Sequence, residues 1–184
     1  MAAVYFLAYK GKSPLSRLIR FFTAGDYSHI GLAVARTGTK ETHGFEIWRP
    51  QMGPRPFWEL GPWGNWYKPW EARLRAIPID REHKPGTQVD LYKLPCTGQE
   101  ARKIFWFYLE RIGAPYDFLG ALTCITSPTR EDKKRWFCSE IAYAACLSAG
   151  AKLLNEERPA KVTPRIFCLS PYLKFEKTFY TERA

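Results

Sequence analysis

The pentapeptide Trp136-Phe-Cys-Ser-Glu140 sets a cysteine at the head of a small, apolar run that ends at Gly150. Such a run reads as a helix, and Cys138 then stands at its N-terminus. There the unpaired amides and the helix dipole favour a thiolate, the form of cysteine that acts as a nucleophile. The competing reading is a buried small hydrophobe, the commonest fate of a free cysteine. Cys124, Cys146 and Cys168 lack the helix-start setting and read as core. A thiol nucleophile needs a base, and the chain has three histidines. His43 and His83 lie in polar, turn-like stretches, whereas His29 opens an apolar strand, where an imidazole can be oriented and partly shielded. The base in turn needs an acceptor on its second nitrogen. Glu46, on the apparent partner strand, is the candidate. A direct cross-strand neighbour would hold it at a Cβ separation of about 4.5–5.5 Å. The bland alternatives are a hydrogen-bonded strand-end histidine and a solvated glutamate.

The elements that must position these residues follow from local pattern. Val4 to Ala8 is a buried strand. Ser13-Pro14 supplies an N-cap and a first-turn proline. Leu15, Leu18, Ile19 and Phe22 follow at helical spacing, and Gly25 closes that helix. Tyr27 to Ala35 is a strand with His29 at its start, paired with Phe45–Trp48, where Phe45 and Ile47 share one face and Glu46 and Trp48 the other. Further strands are expected at Leu74–Ile79 and Val89–Leu94. Thr97-Gly-Gln-Glu100 is a capping box, opening a helix with Ala101, Ile104, Phe105, Tyr108 and Ile112 on one face and Gly113 at its end. The inner face of the Cys138 helix carries Ile141, Ala142, Ala145 and Ala149. Pro159, Pro164 and Pro171 predict a tail that wraps the surface in short pieces.

From Pro50 to Trp70 no helical or strand period fits. Proline, glycine and tryptophan crowd this stretch, and Trp48, Trp58, Trp63, Trp66 and Trp70 fall in or beside it. It reads as an irregular loop held by its own aromatics, inserted into one α+β domain that spans residues 1–184. Hydrophobic residues at 46% and charged residues at 25% suit a globular chain and argue against disorder. The five cysteines contain no CxxC and no Cys/His zinc pattern, so free thiols without a metal are expected. A formal charge of +10 favours anionic partners, with nucleic acid, anionic membrane and anionic cell wall all eligible. No nucleic-acid-binding motif accompanies the charge. The apolar N-terminus lacks a basic lead and is too short to span a bilayer, which needs about 20 residues. The expectation is a cytoplasmic protein, or a virion-associated one if phage-encoded.

Four motifs occur in a telling order: Tyr27-Ser-His-Ile-Gly-Leu-Ala, Gly44-Phe-Glu, Gly113-Ala-Pro-Tyr-Asp117 and Phe137-Cys-Ser-Glu140. The order resembles the circularly permuted branch of the NlpC-type papain-fold amidases. That branch includes the YiiX/YaeF-like proteins and, more distantly, the lecithin:retinol acyltransferase group. In ordinary members a Gly-x-Pro-Tyr turn precedes Asp-Cys-Ser at a helix start, and a His-Val-Gly strand follows. Here the His-Ile-Gly strand comes first, as if the termini had moved and the site had stayed. The resemblance implies a papain-like fold, a small antiparallel sheet packed against helices. It also implies Cys138 as nucleophile, His29 as base and Glu46 as the orienting residue, with no cofactor. Tyr116 would line the oxyanion site beside the backbone N–H of Cys138. Phe137 departs from the pattern by replacing the Asp. The Trp-rich loop has no counterpart; it forms either one side of the cleft, with Trp66 toward substrate, or a structural cluster covering the core.

The implied reaction is acyl transfer through a Cys138 acyl-enzyme, with water giving an amidase or peptidase and another nucleophile an acyltransferase. Hydrolysis of an amide in peptidoglycan peptide suits the basic charge. Two rivals stand beside it: a lipid-directed thiol acyl hydrolase or acyltransferase, and a basic binding or structural module of a phage virion that keeps the fold for its shape.

Overall fold

Residues 2–35, 42–48, 73–78, 85–117, 120–121, 124, 134–155 and 158–181 are described by a computed structural model. The Pro50–Trp70 loop, with Trp66 in it, lies outside the described residues, as do His83 and Pro128. In its first strand, β1 (Ala2–Lys10), apolar side chains point both ways, so both faces must be covered. Accordingly β1 lies inside the sheet, between β2 (His29–Ala35) and β5 (Gln88–Cys96). With β3 (Thr42–Trp48), β4 (Arg73–Pro78) and β6 (Lys174–Tyr180) they form a six-stranded sheet in the order β4-β3-β2-β1-β5-β6. Every neighbouring pair is antiparallel.

One side of the sheet carries Val4, Phe6, Ala8, Ile30, Leu32 and Leu94, all packed in the main core with the helices. On the other side Leu7, Tyr9 and Val89 form a separate buried cluster, flanked by Ala33, Leu91 and Phe179. The helices are α1 (Pro14–Phe22), α2 (Gly98–Leu109), α3 (Cys138–Ala149) and the short α4 (Pro164–Cys168). Helix α3 packs on α2, on β2 and on α4. Ten of its twelve residues are buried, so it is a central helix rather than a half-exposed one. The architecture is α+β, an antiparallel sheet packed against helices.

Four local expectations change. Helix α1 buries Ile19 but leaves Leu18 and Phe22 exposed, because only one line of this nine-residue helix meets the core. Its left-handed end residue is Ala24, at φ 46°, instead of Gly25. Gly25 is required for another reason: a Cβ there would lie 2.7 Å from the Cβ of Arg165. The tail does not only wrap the surface, since Lys174–Tyr180 adds β6 to the edge of β5. Helix α2 opens with the expected capping box and ends at Leu109, leaving Ile112 in the exposed turn that leads to Gly113 at φ +88°.

Candidate active site

Cys138 is the first residue of α3 and is 3% exposed. Phe137, at the N-cap, has no side-chain oxygen to offer, so the opening amides of α3 receive no side-chain cap. Glu140 supplies half of a capping box, its carboxylate accepting from the Phe137 N–H at 3.2 Å. The result is a buried helix start whose amides and dipole are directed at the cysteine. Ser139, fully buried beside it, has a hydroxyl that makes no hydrogen bond among the described residues.

The Gly113-Ala-Pro-Tyr turn is brought to this helix start by backbone pairing. Tyr116 forms a parallel bridge with Trp136, two residues before Cys138. Trp136 N–H donates to the Pro115 carbonyl at 3.1 Å, and Asp117 N–H donates to the Trp136 carbonyl at 3.0 Å. Tyr116 is 8% exposed and belongs to the main core. Two motifs well separated in sequence are thus adjacent.

His29 heads β2, the strand on which α3 packs. Its ring lies against that of Tyr9, with centroids 5.5 Å apart, and the two residues are register partners. Alternation along β2 sends Ile30 and Leu32 toward the helices and His29 to the side of the Tyr9 cluster. His29 thus stands on the face of the sheet opposite to the one α3 covers. Glu46 pairs with Arg75 of β4. Carrying the Leu32–Phe45 register one step further sets Glu46 level with Gly31, two residues along β2 from His29. That is a diagonal relation, roughly 7–8 Å, rather than a direct one.

Burial pushes up the Cys168 thiol, as do the Asp90 carboxylate and Cys138. Burial and Cys138 likewise push up Cys124. Such interactions act over several ångströms. Asp90 pairs with Ala8, and Ala8 with Ile30, the neighbour of His29. Asp90 is thus level with the start of β2, two strands away from it.

Around Asp90 lies a polar cluster that sequence reading missed. Asp90, 4% exposed, accepts from Tyr27 at 2.6 Å, from Thr178 at 2.6 Å and from Gln88 at 3.1 Å. Lys10 stands 3.8 Å away. Burial works against the carboxylate's charge, yet the bonds from Thr178, Tyr27 and Gln88 and the charge of Lys10 hold it below the usual range. Tyr27 also shares a 2.8 Å hydrogen bond with Tyr92, and burial and these bonds push its phenol up. The available signal was a lone carboxylate inside the apolar strand Val89-Asp-Leu91.

This α+β architecture has a solved counterpart. The fold is similar to the crystal structure of metalloprotein YiiX from Escherichia coli O157:H7, DUF1105. The TM-score is 0.62 at 16% identity, over 97% of this chain and 97% of that one. No protein-family model matches the chain, and no curated protein matches it in sequence. YiiX is described as a metalloprotein; among the described residues here, no group of three or more His, Cys, Asp or Glu is arranged to hold a metal ion. No helix among them is long and apolar enough to cross a membrane.

Proposed function

We propose that this chain is a thiol hydrolase that cleaves an amide bond through an acyl-enzyme on Cys138. The observation that carries the reading is the buried, side-chain-uncapped start of α3 at Cys138, with the Tyr116 turn paired beside it. The YiiX-like fold supports it. His29 takes the thiol proton, and the thiolate sulfur attacks the amide carbonyl carbon. The backbone N–H of Cys138 and the Tyr116 hydroxyl stabilise the oxyanion. The C–N bond breaks, and His29 returns the proton to the leaving amine. Water, deprotonated by His29, then attacks the thioester and releases the acid and the free thiol. Glu46 orients the imidazole.

The substrate class is an amide in an anionic polymer, with peptidoglycan peptide the leading case because the chain carries +10. Trp66 and its loop stand on the substrate side of the cleft in this reading. The test is turnover of peptidoglycan fragments by the wild type and by Cys138→Ala. Release of new amino groups by the wild type alone supports the assignment. Wall binding that survives Cys138→Ala, with no turnover by either protein, points to the basic binding module.

A further inference from the structure

Helix α1 presents an apolar line to solvent. Pro14, Leu18, Phe21 and Phe22 recur at the i, i+4, i+7, i+8 spacing of one helical face, while Ile19, off that line, is buried. Phe21 is 79% exposed, Phe22 49% and Leu18 42%. The two rings stack edge-to-face, with centroids 5.6 Å apart, so they form one patch. Exposed apolar residues scattered singly need no explanation; Trp106 on α2, Ile112 in the turn after it and Leu147 on α3 are also exposed. Three in a contiguous line on one short helix are different.

The patch is rimmed by cations. Lys12 and Arg17 are exposed and Arg20 is half-buried. Arg165 reaches the far end of the helix, its guanidinium donating to the Ala24 carbonyl. No acidic residue occurs before Asp26, and the first turn of α1 has none. Aromatic and aliphatic side chains pointing outward between basic ones are the features of a helix that lies in the plane of an anionic membrane, apolar face down. A dimer interface between copies would instead set like charges against each other across a small patch.

We infer that α1 is a docking surface for an anionic phospholipid bilayer, inserting Phe21, Phe22 and Leu18 among the acyl chains while Lys12, Arg17 and Arg165 meet the headgroups. Six residues separate Phe22 from His29, through the turn that holds Tyr27. Docking through α1 therefore sets the start of β2 close to the lipid surface.

The test is co-sedimentation of the full chain with vesicles of equal parts phosphatidylcholine and phosphatidylglycerol, and with pure phosphatidylcholine. The expected result is binding to the anionic vesicles, weakened by salt, and little to the neutral ones. Phe21→Ser should weaken binding about tenfold, and the Phe21→Ser/Phe22→Ser pair further, since each removes one buried aromatic. Both rings are exposed, so circular dichroism should show the fold unchanged. Lys12→Gln/Arg17→Gln should weaken anionic binding without touching the apolar line. Wild-type binding by the double phenylalanine variant, or no binding to anionic vesicles by the wild type, overturns the inference. So does self-association that the same variant abolishes while vesicle binding stays absent. Cys138→Ala should bind as the wild type does, which keeps this result separate from the hydrolase reading.

Discussion

Tyr27 donates a 2.6 Å hydrogen bond to the buried carboxylate of Asp90, tying the residue two positions before His29 to a strand on the far side of β1. Strand β2 thus enters the sheet with its first turn fixed by a charge-assisted bond. Thr178 of the edge strand β6 closes the cluster from the opposite flank.

Asp90→Asn should cost about 2–3 kcal/mol in urea unfolding near neutral pH, since hydrogen bonds to a charged group are the strong ones. The folded carboxylate lies below its ordinary value of 3.8. Its contribution is therefore complete above the ordinary carboxylate range and is lost as pH falls through the folded value. The wild type should lose stability relative to Asp90→Asn as pH falls below about 4. An identical pH dependence in both proteins would show that the cluster does not stabilise the charged form.

Gly25→Ala should destabilise by about 1–2 kcal/mol through overpacking, because the new methyl meets the Arg165 side chain. Arg165→Gly in the same background, which removes that Cβ, should recover part of that loss in a thermal-melt cycle. Additive effects would mean that the two positions do not meet.

Tyr116→Phe should lower kcat by about 10–100-fold while moving KM little, the pattern of a donor used in the transition state. Steady-state kinetics on the substrate found for the wild type would check this. An equal rise in KM with kcat unchanged would make Tyr116 a binding residue instead.

His29→Ala and Cys138→Ala should each remove activity by a factor of about 1,000 or more. Glu46→Gln should lose less, since an orienting residue is partly replaceable. Their urea midpoints should stay close to that of the wild type. Full activity in either His29→Ala or Cys138→Ala contradicts the site.

Elements with a strong local signal were legible in the sequence. The capping box at Thr97 and Glu100, the Cys138 helix ending at Gly150, and the core strand around Val4–Ala8 each declare themselves through a few adjacent residues. Strand β6 did not, because its residues are nearly all exposed and so show no apolar alternation. The apolar line of α1 was readable as a pattern, but not which side of it meets the core. The Tyr27–Asp90–Thr178 cluster joins residues from three strand regions, and only the register brings them together. For the candidate site, the Tyr116–Trp136 bridge could not be read from either motif alone, and the register makes Glu46 a diagonal neighbour of the His29 level.

Thiol reactivity against pH tests the central claim most directly. Cys96, Cys124, Cys146 and Cys168 are all pushed up, chiefly by burial, which makes them slow to alkylate at neutral pH. The full chain would be treated with limiting iodoacetamide and the labelled cysteine identified by mass spectrometry. The account predicts preferential labelling of Cys138 below about pH 7, lost or shifted to higher pH in His29→Ala. Labelling of Cys138 no faster than the other four, or unchanged when His29 is removed, would contradict it.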